Sequence, residues 1–131
     1  MTTARDLSQA SMAAVGALDR QAWLDLFAED AVVEDPVGPS MFDPEGKGHR
    51  GIEAIAAFFD NVIAANRSIT FTIHQSFLCG DEVANVGVIR ITFDGGSAVE
   101  VDGIYIYRRS PEGKIASLRA FWEPDAVRSV T

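Results

Sequence analysis

The sequence predicts an α+β domain: three N-terminal helices packed on one face of a curved, mostly antiparallel sheet, with an apolar pocket between them. Three observations lead there. Apolar residues recur at helical spacing as far as residue 63, then alternate with a period of two from Ile69 onward. The second half is punctuated by compact turn signals, Gly80-Asp81-Glu82, Asp94-Gly95-Gly96 and Pro111-Glu112-Gly113, placed as hairpin connections. The chain of 131 residues is 47% hydrophobic and 23% charged, enough for one domain (1–131) with its own core.

The elements follow in order. Residues 5–18 set Leu7, Ala10, Ala14 and Leu18 on one side of a first helix. Asp19 can cap a second helix carrying Trp23, Leu24, Leu26 and Phe27, which Glu29 and Asp30 end before a short strand over 31–35. Residues 36–50, PVGPSMFDPEGKGHR, hold three prolines and three glycines and read as a long loop, a lid or rim and not core. Gly51 opens a third helix with Ile52, Ile55, Phe59, Val62 and Ile63 as its apolar stripe, ended by Asn66-Arg67-Ser68. Strands are then predicted over Ile69 to His74 and near 83–93, 97–109 and 114–123.

Composition excludes several functions. The net charge of −8 leaves no concentrated basic surface for nucleic acid or an anionic membrane, and suits a neutral apolar ligand. Cys79 is the sole cysteine, and the two histidines, His49 and His74, lie far apart, so neither an internal disulfide nor a metal site is expected. The N-terminus lacks an apolar signal core and no apolar run has membrane-span length, so a cytoplasmic location is expected.

The chemistry-bearing stretch is AVVEDPVG, residues 31–38. An apolar strand stops at Asp35 because Pro36 cannot continue regular pairing. A carboxylate at the edge of an apolar pocket loses water, its pKa rises, and it becomes a better general base. Glu34 points to the opposite face of a regular strand, which argues against a paired-carboxylate site. His49 reads as a solvated loop residue, His74 as an exposed strand residue, and Cys79 as a structural thiol.

VVEDPVG, HRGIEAIAAFFD and GKIASLRAFWE, in that order, resemble the ketosteroid isomerase branch of the nuclear transport factor 2 fold. The resemblance implies a cone-shaped domain, often a homodimer, with a deep pocket for an apolar, steroid-like ligand. It also implies a reaction that moves a double bond from Δ5 to Δ4 with no metal or cofactor. Asp35 matches the family's general base. The enolate it generates needs hydrogen-bond donors, which the family takes from a first-helix Tyr and a protonated Asp on the penultimate strand. Here the first position falls at Ser11 or Met12, and the first helix has no Tyr. Two supporting tyrosines fall on Phe27 and Phe59. Counted back from Gly113, the acid position falls on Tyr105, with Asp102 three residues earlier.

Either Tyr105 supplies the donor, or a bulge at Gly103 turns Asp102 inward; plain alternation in VDGIYIY favours Tyr105. Trp122 matches the family's pocket tryptophan, Leu118 and Ala120 share its strand face, and Val37, Phe27 and Phe59 complete the expected wall. A non-catalytic binding protein on the same pocket is the alternative to an isomerase. Epoxide hydrolysis, a third chemistry of this fold, needs an Asp-Arg-Asp set for which Arg90 and Arg119 are the strand arginines available.

Overall fold

A computed structural model describes residues 1–130. Helix α1, Ala4–Gly16, begins in a capping box: Thr3 Oγ1 accepts from the Asp6 N–H at 3.1 Å, and the Asp6 carboxylate accepts from the Thr3 N–H at 2.9 Å. Asp19 caps α2, Arg20–Leu24. That helix is shorter than its apolar pattern predicts, because Phe27 already belongs to strand β1, Phe27–Glu34. Pairing decides this: Phe27 registers with Ile115, whose N–H donates to the Leu26 carbonyl at 2.8 Å, and long-range bonds outweigh a local helical pattern.

A two-residue strand β2, His49–Arg50, returns the long loop to β1 and leads into α3, Ile52–Phe58, which continues as one π-helical turn, Phe59–Ile63. Long strands follow: β3, Ser68–Cys79; β4, Glu82–Thr92; β5, Ala98–Arg109; and β6, Ile115–Phe121. A 3₁₀ turn, Pro124–Ala126, precedes the short β7, Arg128–Ser129. The sheet order is β2-β1-β6-β5-β4-β3, with β7 on β5; among the described residues only the β1–β6 pair is parallel. The α+β architecture and the strand-rich second half match the sequence expectation.

Three features fall on one line across the sheet. A bulge in β3 leaves His74 unpaired, Gly87 of β4 registers with Gly103 of β5, and β5–β6 pairing stops at Ile104–Phe121. A Cβ on Gly87 would lie 2.2 Å from the Thr72 carbonyl oxygen. Backbones approach here as only glycine allows, and bulges and glycines are what bend a sheet. The bent sheet packs its inner face on the helices through Val33, Ile115, Tyr107, Ile55 and Leu7. The inner side does not close completely, and a cavity remains. Among the described residues no helix is long and apolar enough to cross a membrane.

Candidate active site

Asp35 reaches the cavity by strand alternation. Ala31 and Val33 are fully buried on the inner face of β1, and Asp35 is the next residue in that series. Glu34, on the other face, pairs with Arg119 at 3.0 Å. Past the strand, the Val37 N–H donates to the Ala120 carbonyl at 2.9 Å, which holds the chain against β6. The Trp122 indole N–H donates to Asp35 Oδ1 at 2.6 Å, a short bond to a charged acceptor.

The cavity measures about 770 Å³. Its walls come from α1, the α3–π segment, the inner sheet face and the loop tip Ser40-Met41-Phe42. Asp35 is the only carboxylate among the lining residues, and no Lys, Arg or His is among them. Burial pushes the Asp35 carboxyl up to about 6 from 3.8, with the Trp122 hydrogen bond opposing. The residue keeps some exposure because the cavity opens to solvent, but protein surrounds the carboxyl group, so desolvation dominates.

Of the residues expected at the site, Asp35, Tyr105, Leu118, Ala120 and Trp122 line the cavity together. Phe27 and Phe59 do not. Both pack on Trp23 behind the wall, with ring centroids 4.7 and 5.6 Å away, and Phe58 takes the cavity position beside Phe59. Val37 lies in a shallow outer depression with Phe121 and Ala126. Asp102 borders that same outer depression, exposed and paired with Arg128 at 3.0 Å. Gly103 does not bulge: the β4–β5 register runs unbroken from Glu82–Arg108 to Thr92–Ala98, so alternation sends Asp102 outward.

Tyr105 is inside, but its ring reclines over Gly103, where a Cβ would be 3.0 Å from Oη, and its hydroxyl donates to the Val101 carbonyl at 3.2 Å. Arg90 and Arg119 are engaged with Glu100 and Glu34 and line no part of the cavity. His49 is not a solvated loop residue. It sits in β2 with its ring 4.7 Å from that of Phe58, its Nε2 unpartnered and its pKa pushed down by burial.

A second polar group stands in the cavity that the sequence did not reveal. The Trp23 indole N–H donates to Ser11 Oγ at 2.9 Å, and Ser11 Oγ shares a hydrogen bond with Tyr107 Oη at 3.0 Å. All three residues line the cavity. Ser11 was readable as inward, since it follows Leu7 by four residues, but nothing local announces a partner on β5.

Residues 8–118 match the SnoaL-like domain. The chain belongs to the SnoaL-like family, of the nuclear transport factor 2 fold. Solved structures similar to this SnoaL-like domain include Rv0760c from Mycobacterium tuberculosis in complex with estradiol-17β-hemisuccinate, 43% identical, with a TM-score of 0.89 over 97% of this chain and 98% of that one. The Δ5-3-ketosteroid isomerase from a Mycobacterium species is 37% identical, with a TM-score of 0.92 over 99% and 100% of the two chains. A computationally designed 17-OHP binder is 39% identical, with a TM-score of 0.92 over 99% and 100%. A comparison with curated protein sequences found no match. The nuclear transport factor 2 likeness read from the three sequence motifs is borne out by this family match, and a ketosteroid isomerase is among the similar structures.

Proposed function

We propose that this SnoaL-like domain binds a neutral, ketone-bearing steroid and moves its double bond from Δ5 to Δ4, with Asp35 as the proton carrier. The observation that carries this is a lone carboxylate, oriented by Trp122, in a mostly apolar cavity large enough for such a ligand. The Asp35 carboxylate takes a proton from the carbon between the ketone and the double bond. The C–H electron pair enters a dienolate whose charge rests on oxygen. The Asp35 carboxylic acid then gives the proton to the far carbon of the former double bond, and the ketone re-forms in conjugation. A base with a pKa of about 6 is better matched to a carbon acid than an ordinary Asp, and is still ionised at neutral pH.

Similarity to a Δ5-3-ketosteroid isomerase supports the reading. The test is turnover of a Δ5-3-ketosteroid followed by ultraviolet absorbance of the conjugated product. The wild type should turn over, and Asp35→Asn should lose about 10²–10⁴ in rate while still binding ligand. Near-wild-type turnover by Asp35→Asn overturns the assignment.

The second reading is a steroid-binding protein without turnover. It is favoured by the absence of a first-helix tyrosine and by similarity to one structure holding a steroid ester and to a designed binder. Saturable binding with no conjugated product from the wild type would select it. In either case we read the outer sheet face around Ile104 and Phe121, both apolar and exposed, as the seat of a second copy of the chain in a homodimer.

A further inference from the structure

The geometry points to Tyr107 as the group that hydrogen-bonds the ligand's oxygen, with Ser11 and Trp23 as positioning residues behind it. This rests on the reading that the cavity takes a ketone-bearing ligand. Three protons and two hydrogen bonds carry the argument. The indole N–H of Trp23 can only donate, so Ser11 Oγ already accepts one bond at 2.9 Å. Ser11 and Tyr107 share the second bond, at 3.0 Å. Among the described residues neither hydroxyl has another partner, so one O–H proton of the cluster remains unused beside the cavity.

Which hydroxyl keeps that proton depends on what the cavity holds. If Tyr107 donates to Ser11, the unused proton sits on a serine that is 1% exposed, short, and already accepting from the indole. If Ser11 donates to Tyr107, the free proton sits at the end of the longer side chain. An acceptor in the cavity selects this second arrangement, giving a chain from Trp23 N–H to Ser11 O–H to Tyr107 O–H to ligand oxygen. Each bond in such a chain polarises the next. Tyr105 offers no equivalent, because its single proton goes to the Val101 carbonyl.

The sheet register puts this donor on the same face as the base. Tyr107 pairs with Leu118, which pairs with Val33, and Asp35 lies two residues beyond Val33. Base and donor therefore project into one cavity from strands separated by β6 alone. Burial pushes the Tyr107 phenol up against the Ser11 hydrogen bond, and the Asp35 charge adds to the rise, so Tyr107 acts as a proton-bearing donor. The enolate oxygen gains charge during the reaction, which is where a donor lowers the barrier. The site thus carries a donor from β5 at the place where the first helix offers only a serine.

The test is the infrared stretch of a ¹³C-labelled ketone in a bound Δ4-3-ketosteroid, which needs no turnover. In the wild type the stretch should fall below its value in an aprotic solvent. Tyr107→Phe removes one oxygen from a buried ring and should abolish most of that shift. Ser11→Ala should abolish part of it, and Tyr105→Phe should leave it in place. If the enzyme turns over, Tyr107→Phe should also lose about 10²–10³ in kcat. A full shift in Tyr107→Phe, or its loss in Tyr105→Phe instead, overturns the assignment. Asp35→Asn separates the two claims, since it removes turnover and leaves the shift. A wild type that makes no conjugated product but shows a Tyr107-dependent shift fails as an isomerase and keeps this donor. Failure of the folded wild type to bind any ketosteroid overturns both.

Discussion

At the scale of single residues, Asp35 and Trp122 set the pH behaviour. With the Asp35 carboxyl at about 6, the deprotonated base is lost below that pH, so kcat/KM for a neutral ketone should fall tenfold per unit on the acid side and level off above. The Trp122 hydrogen bond lowers that value, and hydrogen bonds to charged groups contribute about 1.5–3 kcal/mol. Trp122→Phe should therefore move the acid limb up by about 1–2 pH units, read from a kcat/KM profile; an unmoved limb would show that the indole does not hold the carboxylate.

Stability follows the opposite sense from a salt-bridged Asp. The folded-state value lies above the unfolded 3.8, so the folded state holds a proton the unfolded state has released, and stability declines as pH rises from about 4 to about 6. Asp35→Asn should be more stable than the wild type by about 1–3 kcal/mol at pH 8, and the gap should close near pH 4. Urea unfolding at the two pH values checks it. That Asp35 stands at the strand's end was legible, because alternation and Pro36 are local; its desolvation followed only if folding made an apolar pocket there. Its bond to Trp122, 87 residues away, was not legible, since family likeness made Trp122 a pocket residue and no more.

At the scale of elements, β5 and the loop after β1 carry most of the site. Gly103 lets the Tyr105 ring lie flat on its own strand, and its partner Gly87 lets β4 meet the bulge in β3. Gly87→Ala forces a methyl to 2.2 Å from a backbone oxygen, which no rotamer relieves, and should cost about 3 kcal/mol or more in denaturant unfolding. A loss under about 1 kcal/mol would mean that this line does not bend the sheet. The loop is held by its own bonds: Asp43 accepts from the Gly48 N–H at 2.7 Å, and Ser40 and Asp43 bridge to each other. It presents Met41 and Phe42 to the cavity, as a rim would. Asp43→Ala should speed ligand dissociation several-fold in stopped-flow measurements while shifting Tm by only a few degrees. Unfolding of this variant would make the loop structural. The sequence marked the loop through its Pro and Gly content. It did not mark the π-helical turn, Phe59–Ile63, that follows α3; the predicted stripe included Phe59, and its neighbour Phe58 lines the cavity instead.

At the scale of the whole molecule, the outer sheet face leaves Ile104 and Phe121 in register and exposed, next to partly exposed Val86 and Ile106. If this face joins two copies, a Phe121→Lys, Ile104→Lys double variant should sediment as a monomer where the wild type sediments as a dimer at micromolar concentration, with the steroid site retained. A monomeric wild type would leave the patch unpartnered.

Periodicity and turn chemistry are properties of neighbouring residues, and so the sequence by itself determined the α+β order, the hairpin strands, the end of β1 just before Pro36 and the Pro/Gly-rich rim. The early end of α2, the outward placement of Asp102 and the rest of the polar arrangement were decided by tertiary structure alone. Phe27 became a strand residue because β6 was available to pair with it. Asp102 faced out because the register held through Gly103 and Arg128 met it there. The Trp23–Ser11–Tyr107 chain joins α2, α1 and β5 across 96 residues from Ser11 to Tyr107, and no local pattern encodes a hydrogen bond between groups that only folding brings within 3.0 Å.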